Sequence, residues 1–283
     1  MNKSAANEEC DNTDGVDELV SVFKKSSISS VLTTGNTNKE FKVIDNLIDA
    51  YEIIKKLHTF DYITFDCEGV DLGRTGALTV VSISTIEPNA IAFIFDVLVL
   101  GADIFHNNDR AETLKTLLED PTITKISFDC RTDSDALYHQ FQVKLTGCLD
   151  LQIFHQGIQR DENAHSSSDY QGRPAFVRGC KAIAPIYCSA SIIRDFTVDA
   201  PHKTDMAVWR KRPLTNLQWS YAAFDVLLIN SMYDKMVTRV SPSMLERIKA
   251  GSKKYEHIYR DYIHDVNINF QRHKNFIMRE VPI

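Results

Sequence analysis

The stretch Tyr62-Ile-Thr-Phe-Asp-Cys-Glu-Gly69 is β-prone and largely apolar until it meets an aspartate, places a glutamate two residues on, and stops at a glycine. Side chains two apart in a strand share a face, so Asp66 and Glu68 project together while Phe65 and Cys67 project the other way. A strand of this kind needs a sheet with a buried face and an open end. Two adjacent carboxylates repel each other in a dry setting, and a cation is the usual reason to keep them together. Taken alone, the same residues also fit a strand running out into a polar turn.

The flanking text predicts how that sheet is built. Phe41–Ile44 reads as a short strand, and Asp45 as the cap of a helix through Leu57. Three β-like runs, Tyr62–Asp66, Leu78–Ser84 and Ile91–Val97, follow with connections short enough for an antiparallel meander. Ala111–Glu119 reads as a helix, Lys125–Phe128 as a strand and Asp133–Phe141 as a helix. This alternation predicts an α/β fold: a mixed sheet, antiparallel meander plus parallel strands, flanked by helices. Residues 160–180, with Ser166-Ser-Ser168, Gly172, Pro174 and Gly179, read as a long loop or insertion, and Ser189–Phe196 as helical. Thr215-Asn-Leu-Gln218 fits a capping box, opening a helix with Leu217, Tyr221, Phe224, Leu228 and Met232 along one face. The expected division is a flexible acidic leader over 1–40, a domain over 41–238 and a basic helical extension over 239–283.

Charge and cysteine usage narrow the class. The net charge of −6 argues against a general nucleic-acid binder. Residues 1–20, however, hold Glu8, Glu9, Asp11, Asp14, Asp17 and Glu18 against Lys3 alone, so the leader accounts for −5 of it. The six cysteines form no CxxC pair and no zinc spacing with histidine, so they read as reduced thiols, Cys67 facing into the fold. No run approaches the roughly 18 apolar residues of a membrane span, and no basic-then-apolar signal layout opens the chain. An intracellular, soluble protein with no membrane contact is expected, cytoplasm and nucleus not being distinguished.

Two further acids stand where this plan makes them useful. Asp133 opens the helix after Lys125–Phe128, a position where a plain N-cap needs no other role. Asp225 lies inside the last strong helix, four residues after Tyr221 and so on its face. A mid-helix aspartate beside Leu227 and Leu228 is unfavourable unless something holds it.

Phe65-Asp-Cys-Glu-Gly69, the Asp133 segment and Tyr221-Ala-Ala-Phe-Asp225 resemble the three motifs of DEDD-type 3′–5′ exonucleases, in the variant with tyrosine in the third. Trp209-Arg-Lys-Arg-Pro-Leu-Thr215 resembles the approach to that motif in ribonuclease D. Asp129-Cys-Arg-Thr-Asp-Ser-Asp-Ala-Leu-Tyr138 and Cys67-Glu-Gly-Val-Asp-Leu-Gly-Arg74 look closer to eukaryotic 3′–5′ exonuclease-domain proteins, the Egalitarian-like branch. The resemblance covers residues 41–238. It departs from ribonuclease D over 160–180 and at Phe128, where that enzyme has histidine.

The resemblance implies an RNase H-like fold and a site for two divalent ions, magnesium with manganese as a substitute. Asp66, Glu68 and Asp225 would bind the ion that holds the attacking water. Asp66 would also touch the second ion, with Asp133 helping through water. Tyr221 would orient the nucleophilic water, and as a phenol of pKa about 10 it leaves activation to the metal. Asp135 is the decoy beside Asp133, and Asp150 is structural. The substrate would be the single-stranded 3′ end of a nucleic acid, RNA more than DNA, with Arg74, Arg131, Arg210 and Arg212 as candidate phosphate contacts. The alternatives are a catalytically silent RNA-binding adaptor and a scaffold whose leader and basic tail meet protein partners.

Overall fold

The computed structural model describes residues 29–34, 37–86, 90–163, 178–189 and 206–261. Its strands are β1 (Ser29–Thr34), β2 (Thr37–Ile44), β3 (Tyr62–Val70), β4 (Ala77–Thr85), β5 (Ala92–Asp96), β6 (Thr124–Ser127) and β7 (Cys148–Asp150). Its α-helices are α1 (Leu47–Leu57), α2 (Val97–Leu100), α3 (Leu114–Glu119), α4 (Arg131–Phe141), α5 (Leu151–Asn163), α6 (Cys180–Tyr187), α7 (Asn216–Met236) and α8 (Pro242–Asp261). The strands form one sheet in the order β1-β2-β5-β4-β3-β6-β7. β3, β4 and β5 are the expected antiparallel meander, and β2, β6 and β7 join in parallel pairings, so the sheet is mixed.

Register separates the two faces. Ile63, Phe65 and Cys67 of β3 lie in the larger core with Val81, Ile83, Phe93 and Phe95. The opposite parity carries Val80, Ala92 and Ile94, against which α7 lays Ala222, Ala223, Val226 and Leu227. Small residues let the helix axis approach the sheet. The other side of α7, with Phe224, Leu228 and Met232, packs into the larger core with Phe154 of α5 and Ile183 of α6. Burial on both sides explains why α7 is apolar nearly all round; Leu217, expected in its stripe, is 46% exposed.

Several boundaries differ from expectation. The helix after β2 is capped by Asn46, not Asp45, its Oδ1 accepting from Asp49 N–H at 2.9 Å. The capping box at Thr215 and Gln218 is present. The leader expected through residue 40 overlaps β1 and β2, which pair from Ser29↔Lys42 to Thr34↔Thr37. Thr and Val are strand formers, which suits these segments once they pair. Residues 1–28, 164–177, 190–205 and 262–283 lie outside the described residues, and with them most of the expected leader, the 160–180 loop, the Ser189–Phe196 helix and the distal tail.

The extension expected beyond residue 238 begins with a helix integral to the domain. β7 ends the sheet, and its outward N–H groups would go unpaired there. Helix α8 satisfies them with side chains: Cys148 N–H donates to Glu256 Oε1 at 2.7 Å and Asp150 N–H to Ser252 Oγ at 2.9 Å. Tyr255 is fully buried and gives its ring face to the Arg131 guanidinium, 4.6 Å from the ring centroid. Replacing Tyr255 with alanine removes that face and opens a cavity, so urea denaturation should show a loss of about 3 kcal/mol.

Candidate functional site

Strand β3 runs past its parallel neighbour. Its ladder with β6 ends at Thr64↔Ile126, while its ladder with β4 continues through Asp66↔Ser82 and Glu68↔Val80. Asp66 and Glu68 therefore sit beyond the carboxyl end of β6, at an open corner of the sheet, the place where ligands bind in open α/β sheets. By parity they face α7. A bulge between Glu68 and Gly69 turns the strand away. Gly69 allows this, since a Cβ there would meet the Ala77 carbonyl oxygen at 2.1 Å.

Helix α7 brings Tyr221 and Asp225 over the same corner. One carboxylate oxygen from each of Asp66, Glu68 and Asp225 lies within 4.8 Å of the others. Asp133 closes the group from α4. That helix starts at Arg131, so Asp133 stands inside its first turn and is not the N-cap. Its Oδ1 accepts from the N–H of Cys67, between the two acids of β3, at 3.1 Å. Cys67 itself points into the core.

Four acids this close cannot all be charged without a counter-ion. Burial raises Asp66 and Glu68 well above the ordinary carboxylate range; the charge of Asp133 adds to this first for Asp66, and that of Asp225 for Glu68. Burial pushes Asp133 and Asp225 up to about 7. Glu68 and Asp225 share a hydrogen bond, which requires a proton between two carboxyl groups, and the Tyr221 hydroxyl donates to Asp225. Burial, then the charge of Asp225, raises the Tyr221 phenol as well. A divalent cation would replace these protons, and the all-oxygen donor set suits a hard ion such as magnesium or manganese.

Neighbouring acids and arginines have other work. Asp135 accepts from Arg74, at 2.7 Å from the backbone N–H and 2.8 Å from Nη2, and Arg74 also donates to the Tyr259 carbonyl. Asp150 is buried and accepts from Cys130 N–H and Gln152 N–H, both at 2.9 Å, fastening β7 to the start of α4. Arg131 is buried, paired with Asp129 at 2.5 Å and 2.7 Å, and flanked by Tyr255 and Tyr259. Arg212 forms a bidentate pair with Asp96 at 2.6 Å and 2.7 Å. Of the four arginines read as phosphate contacts, Arg74, Arg131 and Arg212 are thus held by carboxylates of the fold. Arg210 is exposed and makes no ion pair among the described residues. For Arg74 and Arg212 the missed signal was a distant acid brought opposite in space, which spacing does not show; for Arg131 it was the local Asp129.

A mixed sheet with acids at the end of its central strand, and a helix bearing Tyr221 and Asp225 across them, defines an RNase H-like α/β nuclease architecture. Residues 41–241 match the 3′–5′ exonuclease family. The chain belongs to that family. It is 36% identical to the human piRNA biogenesis protein EXD1 over 86 residues, 30% of this chain and 15% of that protein. Ribonuclease D of Trypanosoma brucei in complex with GMP superposes with a TM-score of 0.63 at 24% identity, covering 83% of this chain and 70% of that one. Its complex with RNA U12 gives 0.62 at 24%, covering 84% and 78%. At that identity both likenesses speak for the fold. Among the described residues no helix is long and apolar enough to cross a membrane.

The raised carboxylates set a pH dependence. Asp133 and Asp225 titrate near 7 when folded but near 3.8 as free side chains. Between about pH 4 and about pH 7 the folded chain holds more protons than the unfolded one, so stability falls as pH rises, and the raised Asp66 and Glu68 act in the same direction. In EDTA, the unfolding free energy at about pH 8 should lie on the order of 1–3 kcal/mol below that at about pH 5. Asp225→Asn should flatten much of that slope.

Proposed function

We propose that this chain is a divalent-metal-dependent exonuclease that hydrolyses phosphodiester bonds from the 3′ end of single-stranded RNA by a two-metal-ion mechanism. The observation that carries the proposal is the convergence of Asp66, Glu68 and Asp225 from β3 and α7, with Asp133 tied to the backbone between the first two. Family membership supports the reaction class. The RNA-bound ribonuclease D of similar fold and the piRNA-biogenesis relative support RNA as substrate.

Asp66, Glu68 and Asp225 would hold one ion, and Asp66 with Asp133 would supply the donors for a second. Ions bound there lower the pKa of a coordinated water and neutralise charge on both the entering and the leaving oxygen. Tyr221, already hydrogen-bonded to Asp225, orients the attacking water through its hydroxyl. A phenol of ordinary pKa about 10 stays protonated at neutral pH, so it positions water and does not deprotonate it. The Cys67 N–H holds Asp133 toward Asp66, fixing the spacing of the donors before substrate arrives.

The test is a 5′-labelled RNA with an unpaired 3′ end, incubated with magnesium or with EDTA. A ladder shortening from the 3′ end is expected with magnesium only. Asp66→Ala and Asp225→Ala should each lower the rate by at least about 10²-fold, and Tyr221→Phe should lower kcat by about 10²-fold with KM little changed. RNA that is bound tightly but left intact by the parent protein would overturn the catalytic reading in favour of a silent RNA-binding adaptor.

A further inference from the structure

Helix α8 has a second face. Met244, Ile248, Ser252, Tyr255 and Ile258 are buried against the domain. The outward arc exposes Arg247, Lys249, Lys253 and Lys254 and partly exposes His257, with the Arg260 side chain 12% exposed at its end. Its acids are Glu246, paired with Lys249 at 2.8 Å, and Asp261, paired with Arg260 at 2.8 Å. Five lysines and arginines against two acids give an arc of +3 in a chain of −6.

Across the seam between α5 and α8 a sixth cation joins it. Arg160 is half-buried, and its proton is loosened first by burial and then by the charge of Arg247. Neither arginine makes an ion pair among the described residues. The acids next to Arg160 are engaged elsewhere, Asp161 by Ser241 N–H at 2.8 Å and Glu162 by Arg239 at 2.6 Å. Two guanidiniums brought together without a counter-charge repel, and a phosphate between them relieves this while accepting from both.

The position of the arc matters as much as its sign. Toward its carboxyl end α8 lies against the elements that carry two of the acids: Ser134, beside Asp133 on α4, donates to the Glu256 carbonyl, and Arg74, on the turn after Glu68, donates to the Tyr259 carbonyl. From Arg260 back to Arg247 the helix runs about 20 Å. None of the large apolar residues exposed on the surface lies on α8, and a protein-docking face would need such anchors. We propose that the outer face of α8, with Arg160, is the docking surface for the phosphate backbone of single-stranded RNA upstream of the 3′ end being cut. This rests on the exonuclease reading of the acid cluster.

Binding is read on the full chain carrying Asp66→Ala, by fluorescence anisotropy with a labelled oligouridylate of about 20 nucleotides and with a trinucleotide. Adding Arg247→Gln and Lys253→Gln, both at exposed positions, should weaken binding of the long RNA at least about tenfold. The slope of log affinity against log salt should become shallower by about 1.4, the value for two lost phosphate contacts on a single strand. Trinucleotide binding should not change, and Arg247→Lys with Lys253→Arg should bind as the parent does. Unchanged affinity and slope for the long RNA, equal losses at both lengths, or no binding of the long RNA by the parent would overturn the proposal. Because binding is scored on the silenced chain, absence of cleavage by the unaltered protein would count against the exonuclease reading alone.

Discussion

The structure depends on holding like charges together. Asp66, Glu68, Asp133 and Asp225 come from three elements, and each would move to water if its element were free to shift. Burial raises all four carboxyl groups toward their neutral forms, which takes up part of the repulsion. The remainder is resisted by packing. Ala222 and Ala223 draw α7 onto the sheet on one side, and Phe65 and Cys67 anchor β3 in the core on the other. A cation entering this corner would meet ligands already in place, and the energy that held them apart from solvent would become binding affinity.

Ion pairs at the edges of the site keep those elements in register. Arg212, just before α7, reaches back to Asp96 at the end of β5 and also donates to the Thr79 carbonyl of β4 at 3.2 Å. Arg74, on the turn after Glu68, holds Asp135 on α4. Arg131 closes the start of α4 against α8. Such partly buried pairs contribute little net stability, because desolvation offsets much of the attraction. Their effect is geometric, since shifting any one of these elements would strand a charge.

Much of this was legible in the chain because it is local. Period-two alternation from Tyr62 to Glu68 places the acids on one face, the capping box at Thr215 starts α7, and a spacing of four sets Tyr221 beside Asp225. These signals rest on backbone geometry that neighbouring residues determine. What was not legible is non-local. The β1–β2 hairpin lies in a polar, Ser- and Thr-rich text whose strand character depends on a partner edge at β5. Helix α8 reads as an appended basic helix because the acceptors it offers to β7, Glu256 and Ser252, look like surface residues in sequence.

The arginines show where sequence reading reaches its limit. Arg74, Arg131, Arg210 and Arg212 are equivalent by composition and by nearness to a motif, yet three of them are fastened inside the fold and one is exposed. What separates them is whether a carboxylate lies within about 3 Å in space; Asp129 for Arg131 is two residues away, but Asp135 for Arg74 and Asp96 for Arg212 lie 61 and 116 residues away and are set by tertiary packing. An arginine beside a catalytic motif is as well suited to bracing an acid-bearing element as to meeting substrate, because the repulsion that creates the site also creates the need for braces. Cations available to a polyanion should then be sought where positive charge has no ion-pair partner among the described residues, as at Arg160 and Arg247.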